Sequence, residues 1–389
     1  MRLLSIVSGG LFSRSISGIS RREIELARAI CKKGHEICMI VPKGFTTGYT
    51  DMAQLNGIHF EPIAFKKRPP RFWWLRHLKA ISYPGITALK IRELQSLDPD
   101  IIYSSGAYEA IAGWMASRLT NLPHIPVLHD VISLHKLELW HREHFYRCRL
   151  RTSQQELAYK LQYPLVLTVS QQSKVDLIKM GYSPQQIYVT GNGVDLDFYE
   201  QIVPRSPRNL NRIVYIGRLE YHKQVNLLIK AVSILSKEIR DLQLVIIGEG
   251  FLRAELEQLV CKLDLQTRVK FYQSLTNEAV ARCLKSSGVL AFPSTWEGFG
   301  LPIVEGFATG CCVIARDLPV FREVITNRQN GLLFSNFKDL LLKLRLVLKD
   351  DSLREKLVKY GKSTVKRYTW DHVAEKTLRI LTQVVQHHS

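Results

Sequence analysis

The sequence has no C-x-x-C pair, no acidic residue between Glu61 and Glu93, and no G-x-G-x-x-G after its first apolar run. Its longest apolar stretches fall well short of the ~20 residues a membrane-crossing helix needs. Each absence removes a class. The seven cysteines are odd in number and scattered, several of them inside apolar runs. That excludes a disulfide framework and the common zinc sites, and fits a reducing compartment. The missing glycine fingerprint argues against a dinucleotide-dependent oxidoreductase. Met1 to Gly10 carries one arginine and a short apolar run. It reads as a first β-strand entering a glycine loop rather than as a secretory leader.

What is present is a chain of 389 residues, 46% apolar and 23% charged, with a net charge of +19. The length implies two domains of about 200 residues each. The positive charge is spread over both halves, with 26 basic residues through Arg205 and 28 after it. Locally it is concentrated. Lys66, Lys67, Arg68, Arg71, Arg76, Lys79, Lys90 and Arg92 occupy the acid-free stretch, with Phe65, Phe72, Trp73 and Trp74 among them. An anionic membrane surface suits such a segment. Nucleic acid is a second reading, and a solvated face with its aromatics in the core is a third. A further cluster runs from His141 to Arg151, with Arg142, Arg147, Arg149 and Arg151 near Trp140 and Phe145.

Along the chain, strand and helix patterns alternate. Leu3–Val7 reads as a buried strand, Ser8–Ser20 as a loop, Arg21–Lys33 as a helix ended by Gly34, and Glu36–Val41 as a second strand: one βαβ unit. Strands recur at 100–103, 127–130, 165–169 and 187–189. Tyr199 to Arg212 holds two prolines and three arginines and reads as a linker. The alternation then restarts, with strands at 213–216, 242–247, 269–272, 289–292 and 313–315. The pattern predicts an α/β protein of two Rossmann-like, doubly wound parallel-sheet domains. Residues 1–203 form the first and 204–370 the second. A C-terminal helix over 371–389 is expected to pack back on the first domain. Ligands in such folds sit at the carboxyl ends of the strands, and two such domains facing each other make a central cleft.

Chemistry concentrates at two strand ends. Glu297 and Glu305 are eight apart, with Gly298, Gly300 and Pro302 between them. Pro302 fits the first turn of a helix. That places Glu297 on a loop and Glu305 in the first turn, with the backbone N–H groups around Gly300 and Leu301 free to receive an anion. Upstream, Arg218 and Lys223 lie just past the strand 213–216, where an arginine fork and a lysine point charge suit phosphate oxygens.

These residues resemble the retaining glycosyltransferases of the family 4 type (glycosyltransferase group 1, GT-B fold). Gly217-Arg218-Leu219 with Lys223, Pro293-Ser294, the Glu297/Glu305 pair, Asn192-Gly193-Val194-Asp195 with Phe198, and Gly34-His35-Glu36 all occur in that family's order. The resemblance covers about residues 1 to 380. It implies transfer of a sugar from a nucleotide-diphosphate sugar (UDP or GDP) to an acceptor hydroxyl, with retention of configuration. The implied roles are diphosphate binding for Arg218 and Lys223, ribose binding for Glu305 and contact with the donor sugar for Glu297. Gly298, Gly300 and Leu301 would line the donor loop. Gly18 matches the glycine of the N-terminal loop near phosphate and acceptor, and His129 a histidine beside the transferred sugar. The family's glycine after the lysine is replaced by Gln224, its N-terminal Gly-Gly by Ser17-Gly18, and the glycine before Glu323 is missing.

No metal and no cofactor are expected. The two D-x-D triplets, Asp98-Pro99-Asp100 and Asp195-Leu196-Asp197, read as structural, as does His35. The expected partners are a nucleotide-sugar donor, a lipid-linked or cell-envelope glycan acceptor and an anionic membrane surface; nucleic acid is not expected. The location implied is cytoplasmic, at the inner face of the membrane. The alternative is a non-catalytic, basic membrane- or polyanion-binding protein on a degenerate transferase scaffold.

Overall fold

A computed structural model describes residues 1–7, 18–42, 57–63, 73–129 and 156–388. They form two compact units. One comprises Met1–Gly193 with Trp370–Ser389, the other Val194–Thr369. The loop before Gly18, the basic stretch from Phe65 to Phe72 and the cluster from His141 to Arg151 lie outside the described residues.

The first unit is built on seven parallel strands: β1 (Arg2–Val7), β2 (Glu36–Pro42), β3 (Ile58–Ile63), β4 (Ile101–Ser105), β5 (His124–Leu128), β6 (Val166–Thr168) and β7 (Ile187–Val189). Their order is β3-β2-β1-β4-β5-β6-β7, a doubly wound sheet whose direction of growth reverses between β1 and β4. Leu3–Val7 and all of β4 are buried, as expected of parallel strands covered on both faces by helices. Gly34, at φ +82, ends the helix Gly18–Lys32 and donates to Cys31 O at 2.9 Å, the left-handed stop that glycine makes at low cost. The helix Trp370–His388 packs on Gly18–Lys32, with Lys33 Nζ 2.8 Å from Glu375 Oε1. β3 has no counterpart in the sequence reading. Its alternation, Ile-His-Phe-Glu, lasts only four residues before Pro62 interrupts it, and Pro62 is tolerated because the strand is an edge.

The second unit has six parallel strands: β8 (Asn209–Ile216), β9 (Gln243–Ile247), β10 (Val269–Tyr272), β11 (Ser287–Phe292), β12 (Cys312–Arg316) and β13 (Leu332–Phe334). Their order is β10-β9-β8-β11-β12-β13. The reversal falls between β8 and β11, where a ligand crevice belongs in such sheets. Every residue of β11 is buried.

The first unit ends at Gly193, not at Val203. Residues 194–203 join the second unit for physical reasons. Asp195 caps the helix Leu196–Gln201, its Oδ1 accepting from Phe198 N at 2.9 Å. That helix packs on Leu301–Thr309, and Lys285 Nζ donates to Ile202 O at 2.7 Å. Asp100 accepts from Arg2 N at 2.7 Å. Both D-x-D triplets therefore hold backbone N–H groups, one within its own helix start and one on a neighbouring strand.

Candidate active site

In the second unit the chemistry gathers past the ends of β8 and β11, which pair directly. After β8 the chain turns at Gly217 and runs against the loop after β9. Leu219 N donates to Glu249 O at 2.8 Å. A Cβ on Gly248 would lie 1.9 Å from Gly217 O, and one on Gly250 2.2 Å from Leu219 O. Only glycine lets the two loops approach this closely, and that approach fixes the path of the Arg218 loop. Tyr215 OH donates to Arg218 O at 2.9 Å. Burial, then Glu297, hold the Tyr215 phenol well above its usual range, so it stays a donor.

Arg218 is half exposed and bonds Glu220 Oε1 at 2.9 Å. A short turn, Tyr221–Lys223, then carries Lys223 inward. Lys223 is buried, and its ammonium contacts Glu297 Oε1 while lying 5.8 Å from the Phe292 ring centre. Two further links fix this pairing. Thr295 N and Oγ1 both donate to His222 O, at 2.7 and 3.1 Å. The His222 and Trp296 rings stack at 4.3 Å, 17° from parallel. Burial, with Lys223 and Arg218 acting in the same direction, pushes His222 down to about 2, so its imidazole is neutral beside the two cations. Gln224, where the family has glycine, stands at φ +51 and bonds Tyr221 O through its side chain at 2.8 Å. The left-handed position is thus retained without the glycine.

Glu297 is on the loop after β11, followed by buried Gly298, Phe299 and Gly300. Gly300 stands at φ +92 immediately before the helix Leu301–Thr309, with Pro302 in its first turn. Pro302 has no N–H and Ile303 N donates to Gly300 O at 2.9 Å, so among the first three residues of the helix Leu301 alone offers an N–H without an intrahelical partner, and it favours an anion there. Glu305 is the fifth residue of the helix, so it lies in the second turn rather than the first, and it is buried. Ser294 Oγ and Trp296 Nε1 are buried without a hydrogen-bond partner among the described residues. Two unmet polar atoms on the stretch just before Glu297 fit a polar ligand at this strand end.

The first unit holds a separate polar cluster. His129 follows β5 and is buried, its Nε2 2.6 Å from Ser105 Oγ at the end of β4. Arg22, fully buried, contacts Glu23 and donates to Asn192 Oδ1 at 2.6 Å and Tyr103 OH at 3.1 Å. Asn192 thus binds the helix Gly18–Lys32 to the turn that follows β7. Gly18 opens that helix at the surface, and a Cβ there would meet nothing within 4 Å. Burial, then Arg22, push His129 well below the ordinary histidine value.

The structure therefore brings Lys223 together with Glu297, and places Arg218, Gly298, Gly300, Leu301 and Glu305 on the same sheet edge. His129 and Gly18 belong to the other unit. Sequence reasoning missed Arg22, Glu23, Tyr103, Ser105, His222 and Trp296. The available signal was two adjacent charges in a helix lying between buried strands, and a tryptophan directly before Glu297.

Family models match on both sides of the chain: Glycosyltransferase Family 4 over residues 16–198 and Glycosyl transferases group 1 over 200–364. The chain belongs to this family of glycosyltransferases, and its fold is GT-B. An uncharacterized glycosyltransferase of Methanocaldococcus jannaschii is 26% identical over 94% of each chain. The phosphatidyl-myo-inositol mannosyltransferase of Mycobacterium tuberculosis is 31% identical over 50% of this chain and 53% of its own. The crystal structure of Anabaena HepE in complex with UDP-glucose matches with a TM-score of 0.77 at 20% identity, covering 98% of this chain and all of the other.

Proposed function

We propose that the chain transfers a hexose from a nucleotide-diphosphate sugar to an acceptor hydroxyl with retention of anomeric configuration. The observation that carries this reading is the contact of Lys223 with Glu297 beside the N-terminus of the helix Leu301–Thr309. An ammonium, a helix N-terminus and the exposed Arg218 supply positive charge for a leaving diphosphate. Glu297 and Glu305 supply acceptors for sugar and ribose hydroxyls. In the step, the anomeric C–O bond to phosphate breaks as the acceptor oxygen bonds the anomeric carbon from the same face. The acceptor proton passes to the departing phosphate oxygen. Lys223, Arg218 and the Leu301 N–H at the start of the helix hold the developing charge. His129 is assigned to bind a substrate hydroxyl, and Gly18 to present backbone N–H to phosphate or acceptor. No metal is required by this assignment, so chelator should leave turnover intact.

UDP and GDP are the favoured nucleotides, in keeping with a relative that transfers mannose and a fold neighbour crystallised with UDP-glucose. A lipid-linked acceptor is favoured by the mannosyltransferase relative, whose named acceptor is phosphatidyl-myo-inositol, and by the basic segment with its aromatics. Among the described residues no helix is long and apolar enough to cross a membrane, so the membrane contact proposed is peripheral.

The test is a thermal-shift screen against UDP, GDP and ADP, followed by transfer assays with the matching sugars. The anomeric configuration of the product is read by NMR. Unchanged turnover in both Arg218→Ala and Lys223→Ala overturns the phosphate site. Flotation with anionic liposomes at low salt decides the membrane part; protein remaining at the bottom removes it.

A further inference from the structure

The first-unit cluster contains a charge that the transfer chemistry does not use. Glu23 is on the helix Gly18–Lys32 with its side chain 2% exposed, and its Oε1 lies 3.6 Å from His129 Nε2. The same ring nitrogen is 2.6 Å from Ser105 Oγ. A serine and a carboxylate sharing one imidazole nitrogen do not form a nucleophilic triad, because that device needs the acid on the opposite nitrogen. Ser105 is therefore not activated as a nucleophile, and another role for Glu23 is required.

We propose that Glu23 is a positioning residue that fixes His129 as its Nε2–H tautomer, leaving Nδ1 as a hydrogen-bond acceptor for a substrate hydroxyl. An ionised carboxylate only accepts, so the nitrogen facing it carries the proton. Ser105 Oγ then accepts the hydrogen bond from Nε2–H at 2.6 Å, and its own O–H is free to donate elsewhere. Among the described residues, His129 Nδ1 has no hydrogen-bond partner. Arg22 works in the opposite sense. Its guanidinium is close enough to repel a proton on the ring, and left alone it would turn a lone pair towards itself. Glu23, in contact with Arg22 and 3.6 Å from the ring nitrogen, opposes that field. The buried pair thus sets which side of the imidazole donates and which accepts.

The catalytic consequence rests on the transferase reading; the tautomer does not. Two-bond proton–nitrogen correlation spectra of the ligand-free protein report it directly, with the His129 signals assigned by their loss in His129→Asn. Wild type should show Nε2 protonated and Nδ1 bare. Glu23→Gln removes the charge and leaves Arg22 unopposed, so the population should move to Nδ1–H, and kcat should fall about tenfold, the size of one lost hydrogen bond. Glu23→Asp should restore the wild-type tautomer and most of kcat, and Ser105→Ala should keep Nε2–H. An Nδ1–H wild type, an unchanged tautomer in Glu23→Gln, or inversion in Ser105→Ala overturns the proposal. Should Glu23→Gln fail to fold, the wild-type and Ser105→Ala spectra decide. Absence of sugar transfer by the wild type would sink the transferase reading and leave the spectra standing.

Discussion

Lys223 and Glu297 meet across the paired ends of β8 and β11, joining two stretches of the second unit that lie 74 residues apart in the sequence. Each is mostly shielded from water, so each depends on the other until an anion arrives. Replacing Lys223 by Ala should lower kcat by about 10²–10³, the cost of losing one preorganised electrostatic partner of a developing charge. Arg218→Ala should have a smaller effect, since its guanidinium is half exposed and already engaged with Glu220. Steady-state kinetics with the preferred donor checks both.

Gly300 cannot take a side chain quietly. A Cβ there would sit 2.8 Å from Phe321 Cε1, on a backbone at φ +92. Gly300→Ala should destabilise the second unit by about 1–3 kcal/mol. It should also weaken nucleotide binding by shifting the start of the helix Leu301–Thr309. Urea unfolding and a nucleotide titration separate the two effects.

Gln224 invites the opposite change. It adopts the left-handed conformation without being glycine, a cost of about 1–2 kcal/mol that its bond to Tyr221 O only partly offsets. Gln224→Gly should be neutral to stabilising by up to ~1 kcal/mol, with Lys223 still placed and turnover retained. A clear loss in the urea midpoint would contradict this.

Acid should weaken the fold through the buried His129 and His222 and the part-buried His124. Burial pushes His124 down to about 3 and His222 to about 2, and His129 is also well below its ordinary value. In the unfolded chain each titrates near 6.5. As pH falls below about 6.5 the unfolded state takes up protons that the folded state refuses, so stability drops. The contribution is complete above that pH and shrinks by about 1.4 kcal/mol per pH unit for each such imidazole, until its folded value is reached. Urea midpoints at pH 7, 6 and 5 should decline steadily, and His124→Gln should give a shallower decline.

Much of the second unit was legible because its signals are local. Gly217, Arg218, Lys223, Glu297 and Pro302 each stand at a strand end or helix start that periodicity alone locates. The segment from Glu297 to Glu305 was read correctly as loop then helix; only the turn occupied by Glu305 shifted. The first unit was harder. Arg22 and Glu23 are adjacent charges on a helix whose usual fate is solvent, and only the three-dimensional approach of β4, β5 and the Asn192 turn buries them. The stack of His222 on Trp296 joins residues 74 positions apart, beyond any periodic signal. The domain boundary moved because capping by Asp195 and the reach of Lys285 outweigh the composition of the stretch after it.

The helix Trp370–His388 belongs to the first unit although the whole of the second unit precedes it in the chain. During synthesis, the first sheet emerges early but must wait for its last helix until every residue of the second has been made. The helix Gly18–Lys32, which carries Arg22 and Glu23, is covered by that late arrival. The unit whose sheet is made before the other is therefore completed only after the other has been made.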